Sequence, residues 1–355
     1  MNERYGQLSR IVIQGYMSIK ECDLELNNIN VLIGGNGAGK SNFMSIFELL
    51  QNTTEQNLQR YANKKVARTF FYNGPKITES VKVEFFFHNY SGIDQYPYVL
   101  ELEMSGSNSL LLYEDPASFD GQVNEPNGRV TNASVIRSYL KNEWRKYHFH
   151  DTGLSSRIKS ENYISNSVSL MDDARNLAAF LYRLKQAFPI EYKNILNAVH
   201  LVAPFFDDFI LEPNDLNEEQ ISLRWRKNGC EDVFYASQFS DGTLRFICLA
   251  TLLLQPAELQ PATIIIDEPE LGLHPFAIAV LAEMIQKAAV SKQVILATQS
   301  VELLDNFAVE DIIVVDSGEN GSEFKRLDEE QLRLWLDDDY TLGELWNKNI
   351  FGGRP

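Results

Sequence analysis

Short apolar runs, bounded by polar or turn-forming residues, predict strands at residues 11–13, 22–26, 29–33, 81–87, 98–104 and 110–113. Directly after the third run the pattern changes. A glycine-rich segment, 34–41, leads into Phe43, Ile46, Phe47 and Leu50, whose spacing is that of one helix face. The order is strand, glycine loop, helix. Residues 114–129 are polar and rich in turn formers, whereas 135–147 and 173–188 read as helices, the second with Ala174, Leu177, Phe180, Leu181 and Leu184 along one stripe. Farther on, 209–212 and 221–225 read as strands, 244–254 as a buried helix, 263–266 as a central strand and 275–290 as a helix. Core strands at 294–298 and 312–315 follow. This alternation predicts an α/β fold, divided as 1–104, an inserted α-rich subdomain at 105–205, and 206–355.

With 355 residues and 44% hydrophobic content the chain can bury one large core or two modest ones, which excludes general disorder. No apolar run reaches the ~20 residues of a membrane helix, and residues 1–10 lack the pattern of a secretory signal. A cytoplasmic protein with no membrane partner is expected. Cys22, Cys230 and Cys248 are far apart and show no metal-ligand spacing, so they read as reduced, structural thiols. The net charge of -17 is unevenly spread: residues 302–344 hold fourteen acids against Lys325, Arg326 and Arg333, and read as a solvated tail. Two stretches have the opposite balance. Residues 60–76 carry Arg60, Lys64, Lys65, Arg68 and Lys76 without an acid, and 129–159 carry seven basic residues against Glu143 and Asp151. These are the candidate surfaces for DNA.

The glycine-rich segment reads Gly34-Gly35-Asn36-Gly37-Ala38-Gly39-Lys40-Ser41 and fits G-x-x-x-x-G-K-[ST] between a strand and a helix. Glycines let successive backbone N–H groups turn toward phosphates, Lys40 reaches the β- and γ-phosphates of ATP, and Ser41 can ligate Mg²⁺. The run Thr263-Ile264-Ile265-Ile266-Asp267-Glu268-Pro269-Glu270 is an apolar strand that ends abruptly in carboxylates. Asp267 is the candidate to hold Mg²⁺, and Glu268 to orient and deprotonate the attacking water. Glu270 divides evenly between a site role and that of a solvated loop acid.

With these motifs in place the sequence resembles the ABC-type ATPase heads of the RecF, SMC and OLD-like group, over residues 8–50 and 205–316. Phe239-Ser240-Asp241-Gly242-Thr243 stands where that family has its signature loop, and Leu271-Gly272-Leu273-His274-Pro275 is similar to the dimer-contact loop of the OLD-like branch. His148 to Thr152, 176–184 and the end 343–355 most resemble a bacterial branch of predicted ATPases with no nuclease domain of their own. The resemblance implies a P-loop NTPase fold of ABC-ATPase head type, a β-lobe plus a parallel-sheet RecA-like core, with a largely helical insertion. It implies ATP and Mg²⁺ as cofactors, with Asn42 continuing the phosphate loop. It also implies a homodimer formed on ATP binding, in which Ser240, Asp241 and Gly242 of one subunit complete the site of the other. From local sequence alone, Ser240 reads as a helix N-cap. Gln299 stands where most such ATPases carry a histidine; it can hydrogen-bond phosphate or water but cannot take a proton. Met17 stands where the wider group often has an arginine, and no Q-loop glutamine is identifiable.

His148 and His150 have the spacing of ligands on one strand face, but no convincing third ligand lies nearby, so a structural or ligand-contact role is preferred. Trp144, Arg145, Lys146, Tyr147 and Phe149 interleave aromatic and basic residues, which suits a half-buried sheet edge better than a nucleic-acid surface. The leading function is an ATP-driven dimeric switch in DNA repair, DNA maintenance or anti-phage defence, acting on DNA or on a separately encoded effector or nuclease. The alternatives are the ATPase subunit of a transporter and a self-contained nuclease. The first lacks a membrane segment, and the second lacks a cluster of acids on strands after the ATPase body.

Overall fold

The computed structural model describes residues 7–89, 92–93, 97–105, 109–115, 124–125, 128–129, 143–153, 155–338 and 340–353. Two compact units emerge: Met1–Lys146 with Pro261–Asp267 and Ser291–Pro355, and Tyr147–Gln260 with Glu268–Val290. These units cut the chain at other points than the sequence division does. Leu110–Asp115 and Trp144–Lys146 group with the first unit, and 147–205 with the second.

The first unit begins with strands β1 (Leu8–Tyr16), β2 (Ile19–Glu25) and β3 (Ile29–Ile33), followed by helix α1 (Lys40–Thr54). Strands β4 (Ser80–Asn89), β5 (Tyr98–Met104), β6 (Leu110–Asp115) and β7 (Trp144–Tyr147) come next, then β8 (Thr263–Asp267), β9 (Gln293–Ala297), β10 (Ile312–Gly318) and β11 (Gly321–Arg326). One sheet is antiparallel, in the order β2-β1-β4-β5-β6. Its strands alternate: Val81, Val83, Phe85 and Phe87 of β4 and Tyr98, Leu100 and Leu102 of β5 are buried, while the residues between them are partly exposed. That is the pattern of a sheet with one face packed. The second sheet runs β7-β8-β9-β3-β10-β11, with β8, β9, β3 and β10 mutually parallel. Its central strands are buried on both faces, as Ile264, Ile265 and Ile266 and then Val294, Ile295, Leu296 and Ala297 show, which explains why they read as continuous apolar runs.

Gln293 ties the two sheets together. Its buried amide accepts from Leu8 N (3.1 Å) and Thr263 Oγ1 (3.0 Å) and donates to Leu8 O (2.7 Å) and Asn27 O (3.0 Å). A polar side chain is tolerated there because its amide hydrogen-bonding groups are satisfied.

The second unit contains helices α2 (Leu177–Ala187), α3 (Pro189–Val202), α4 (Asp241–Leu254) and α5 (Pro275–Ala288). Among them lie small antiparallel sheets, one of which places Trp225 in a stack on Phe239 with ring centroids 4.4 Å apart. The predicted strand at 221–225 is in fact two, Asn217–Ile221 and Arg224–Lys227, paired in different sheets.

Two further expectations are corrected. The helix expected at 135–147 ends at Glu143: Trp144–Tyr147 is a strand, and 135–142 lie outside the described residues. Trp144 and Tyr147 are three apart and both buried, a spacing that suggests a helix face, but Trp144 is drawn into stacking on Phe87 at 4.9 Å beside the sheet. The acid-rich stretch 302–344 is not a loose tail. Its acids lie mostly on exposed faces, while Ile312 to Val315 are core and Leu332, Leu342, Leu345 and Trp346 are buried. Asp305 accepts from Gly343 N (2.6 Å) and Asp316 from Gly353 N (2.8 Å), so two of these carboxylates tie the chain end down.

Candidate nucleotide site

Strand β3 delivers the glycine loop to the edge of the parallel sheet. Gly34 has φ +156° with no room for a Cβ against the Val315 carbonyl, and Gly39 has φ +122° with its missing Cβ directed at Ser322 Oγ. Only glycine fits both positions. α1 starts at Lys40 with Gly39 as a cap that offers no side chain. Lys40 is buried, 6% exposed, and its ammonium lies inside the curl of the loop, donating to Gly34 O (2.5 Å) and Gly35 O (3.1 Å). Asn36, Gly37 and Ser41 are exposed, Gly35 and Asn42 partly so, and Ala38 is buried. Asn42 donates to Ser18 Oγ (2.6 Å), which fixes the β1–β2 turn beside the start of α1. Met17 in that turn packs on the core, its sulfur accepting from Ser45 Oγ.

Strand register brings the other predicted residues of this unit to the same edge. Asp267 is level with Ala297 in the adjacent parallel strand, and Ala297 with Leu32 in the next. The carboxylate of Asp267, the Gln299 segment just past β9 and the loop after β3 therefore leave three neighbouring strands at their carboxyl ends. Open parallel sheets bind their ligands at that edge.

Two residues that the sequence did not assign to this site, Lys146 and Glu48, complete the edge. Lys146, on β7 beside β8, reaches Glu48 Oε1 of α1 at 2.7 Å and Asp267 Oδ2 at 3.4 Å. Lys65 (3.2 Å) and the Tyr61 hydroxyl (3.0 Å) hold the other Glu48 oxygen. Burial would raise the Glu48 carboxyl, but Lys146, Lys65 and Tyr61 outweigh it and hold the group below its ordinary range.

In the second unit Ser240 is the N-cap of α4, its hydroxyl accepting from Thr243 N at 3.1 Å, and Asp241 lies 3.7 Å from Lys159. Gly242 abuts the carbonyl of Gly272 so closely that a Cβ has no place there. The start of the signature segment and the loop 271–276 are thus in contact, and Ser240, Asp241, Leu271, His274 and Phe276 are exposed around that contact. Glu268, next after β8, adopts φ +42°, a left-handed conformation uncommon for a non-glycine residue. Glu270 is half-buried. Arg245, the one basic residue of α4, is 7% exposed and donates to Phe149 O (3.1 Å), His150 O (3.2 Å) and Leu271 O. That lone positive charge was its only sequence signal. Among the described residues no group of three or more His, Cys, Asp or Glu side chains is arranged to hold a metal.

The parallel sheet, its glycine loop and its carboxylate-ended strand define the class: a P-loop NTPase fold of the kind seen in SMC heads. The chain belongs to the family described as AAA domain, putative AbiEii toxin, Type IV TA system, whose model matches residues 29–305. Its fold is similar to that of an SMC head bound to the C-winged helix domain of ScpA, at 17% identity and TM-score 0.59, over 92% of this chain and 99% of that one. It is also similar to an Smc head domain with an extended coiled coil bound to the C-terminal domain of ScpA from Pyrococcus furiosus, at 14% identity and TM-score 0.58, over 94% and 99%. The SMC head domain from Thermotoga maritima matches at 14% identity and TM-score 0.51, over 90% and 99%. No curated protein matches the sequence. No helix among the described residues is long and apolar enough to cross a membrane.

Proposed function

We propose that the chain binds ATP with Mg²⁺ at residues 34–42 and hydrolyses it. The observation that carries this reading is the buried Lys40 ammonium inside the loop, at the sheet edge that strand register gives also to Asp267. The donor set fits the ligand: glycines with no Cβ in the way, a helix N-terminus and one lysine suit phosphates, and the Ser41 hydroxyl and Asp267 carboxylate suit a hard cation. Bound Mg²⁺ would neutralise charge on the phosphates. Glu268 serves as the base that orients and deprotonates water, and Gln299 contacts phosphate or water through its amide.

The working form is a homodimer in which Ser240, Asp241 and Gly242 of each subunit complete the site of the other. The exposed patch of Ser240, Asp241, Leu271, His274 and Phe276 supports this, since Leu271 and Phe276 put apolar side chains in water beside a helix N-terminus. The ATP-bound dimer acts on DNA or on a separately encoded effector, in DNA maintenance or anti-phage defence. The toxin–antitoxin wording of the family description agrees with an effector client. For DNA, the exposed Arg60, Lys64, Lys65, Arg68 and Lys76 are the better candidates. Lys146 and Lys159 of the second basic stretch are nearly buried, at 10% and 7% side-chain exposure, and already paired with acids.

Calorimetry tests the core of this reading. Lys40→Ala is expected to lose ATP binding, and Glu268→Gln to keep it, lose turnover and accumulate as a dimer on size exclusion. Equal ATP affinity in Lys40→Ala and the parent would refute the assignment.

A further inference from the structure

We infer that Lys146 is a tethered cation that weakens the hold of Asp267 on a divalent metal ion, and that Glu48 is its tether. The inference rests on the reading of Asp267 as the carboxylate of a nucleotide–metal site.

The two distances show which carboxylate owns the ammonium. At 2.7 Å, Lys146 Nζ makes a full charge-assisted hydrogen bond to Glu48 Oε1; at 3.4 Å it is an ion-pair neighbour of Asp267 Oδ2, beyond good hydrogen-bond length. Glu48 is itself braced by Tyr61 and Lys65, so it is a firm anchor. The Lys146 side chain is only 10% exposed and that of Asp267 only 20%, which limits how much water screens the charge between them.

A metal ion on Asp267 would keep this ammonium as a close like charge, and the repulsion counts against binding. Glu48 limits the effect by holding the ammonium to its own oxygen. Removing Lys146 and removing the charge of Glu48 therefore act in opposite directions. Without Lys146, Asp267 loses its competitor and binds metal more tightly. With Glu48 neutral, the ammonium is released toward Asp267 and metal binds more weakly. A purely structural role for the pair has no such signature, because loosening the site would weaken metal binding in both variants.

The experiment is a Mn²⁺ titration of the full chain, with free Mn²⁺ read by electron paramagnetic resonance, without nucleotide and with a saturating non-hydrolysable ATP analogue. Lys146→Met and Lys146→Gln are expected to tighten Mn²⁺ binding on the order of fivefold, Glu48→Gln to weaken it on the order of fivefold, and Lys146→Arg to stay near the parent. Thermal melts of each variant show that the comparison is made on folded protein. Unchanged or weaker binding in both Lys146 variants, or a shift of the same sign in the Lys146 and Glu48 variants, overturns the inference alone. A parent that binds no Mn²⁺ in either condition overturns the nucleotide–metal reading, and the inference with it.

Discussion

The Gly242 Cα, in the first turn of α4, lies against the carbonyl oxygen of Gly272, closer than any side chain at 242 could allow. The contact gives Gly242 a packing reason to be glycine, independent of any ligand. Gly242→Ala must push the loop at 272 outward, an overpacking that costs about 1–3 kcal/mol. The expected result is a lower melting temperature for Gly242→Ala than for the parent. A variant as stable as the parent would show that the loop yields freely.

Glu268, the proposed base, has a left-handed backbone, φ +42°, a conformation that costs an L-residue about 1–2 kcal/mol. Replacing it by glycine removes that strain, against the greater unfolded-state entropy of glycine. Glu268→Gly is expected to melt at or above the parent temperature and to have no ATPase activity, while Glu268→Gln melts with the parent and is equally inactive. A clear drop in melting temperature for the glycine variant would mean that the conformation is not strained.

Arg245 bonds three backbone carbonyls from two different loops, at Phe149, His150 and Leu271. Hydrogen bonds to a charged group contribute about 1.5–3 kcal/mol each, and a lysine ammonium cannot span the three positions that the planar guanidinium reaches. Arg245→Lys is accordingly expected to fail as a substitute. Amide exchange should rise in both the 149–152 and 271–274 segments, although they are far apart in sequence. Protection unchanged in either segment would contradict the bridging role.

Burial pushes Asp311 up to about 6, only partly offset by the Ala308 backbone N–H it accepts from and by Arg326. Its ordinary value is 3.8, so between the two the folded state binds more protons than the unfolded one. Stability from this group is thus lost as pH rises from about 4 through 6. Asp311→Asn keeps an oxygen for Ala308 N and removes the charge. The variant is expected to gain melting temperature relative to the parent at pH 8 and to match it near pH 4. A gain of equal size at both pH values would rule out the charge as the cause.

What the sequence determined was whatever depends on a few consecutive residues. The glycine loop was legible because its chemistry is local: Gly34 and Gly39 supply conformations open only to glycine, and Lys40 reaches carbonyls five and six positions back. The carboxylate-ended strand was legible for the same reason, since Thr263–Asp267 is buried along its length until Asp267 itself. The acidic stretch misled because charge was counted along the chain, whereas burial is decided by face, and Leu345 and Trp346 occupy the faces that the acids leave free. The partners of Lys146 and Arg245 could not be read at all. Glu48 lies 98 positions from Lys146, and Phe149 O lies 96 from Arg245. Local sequence carries no record of which distant groups meet, so only the closing of β7 against β8, and the packing of the loop at 149–150 on α4, decided which charges became neighbours.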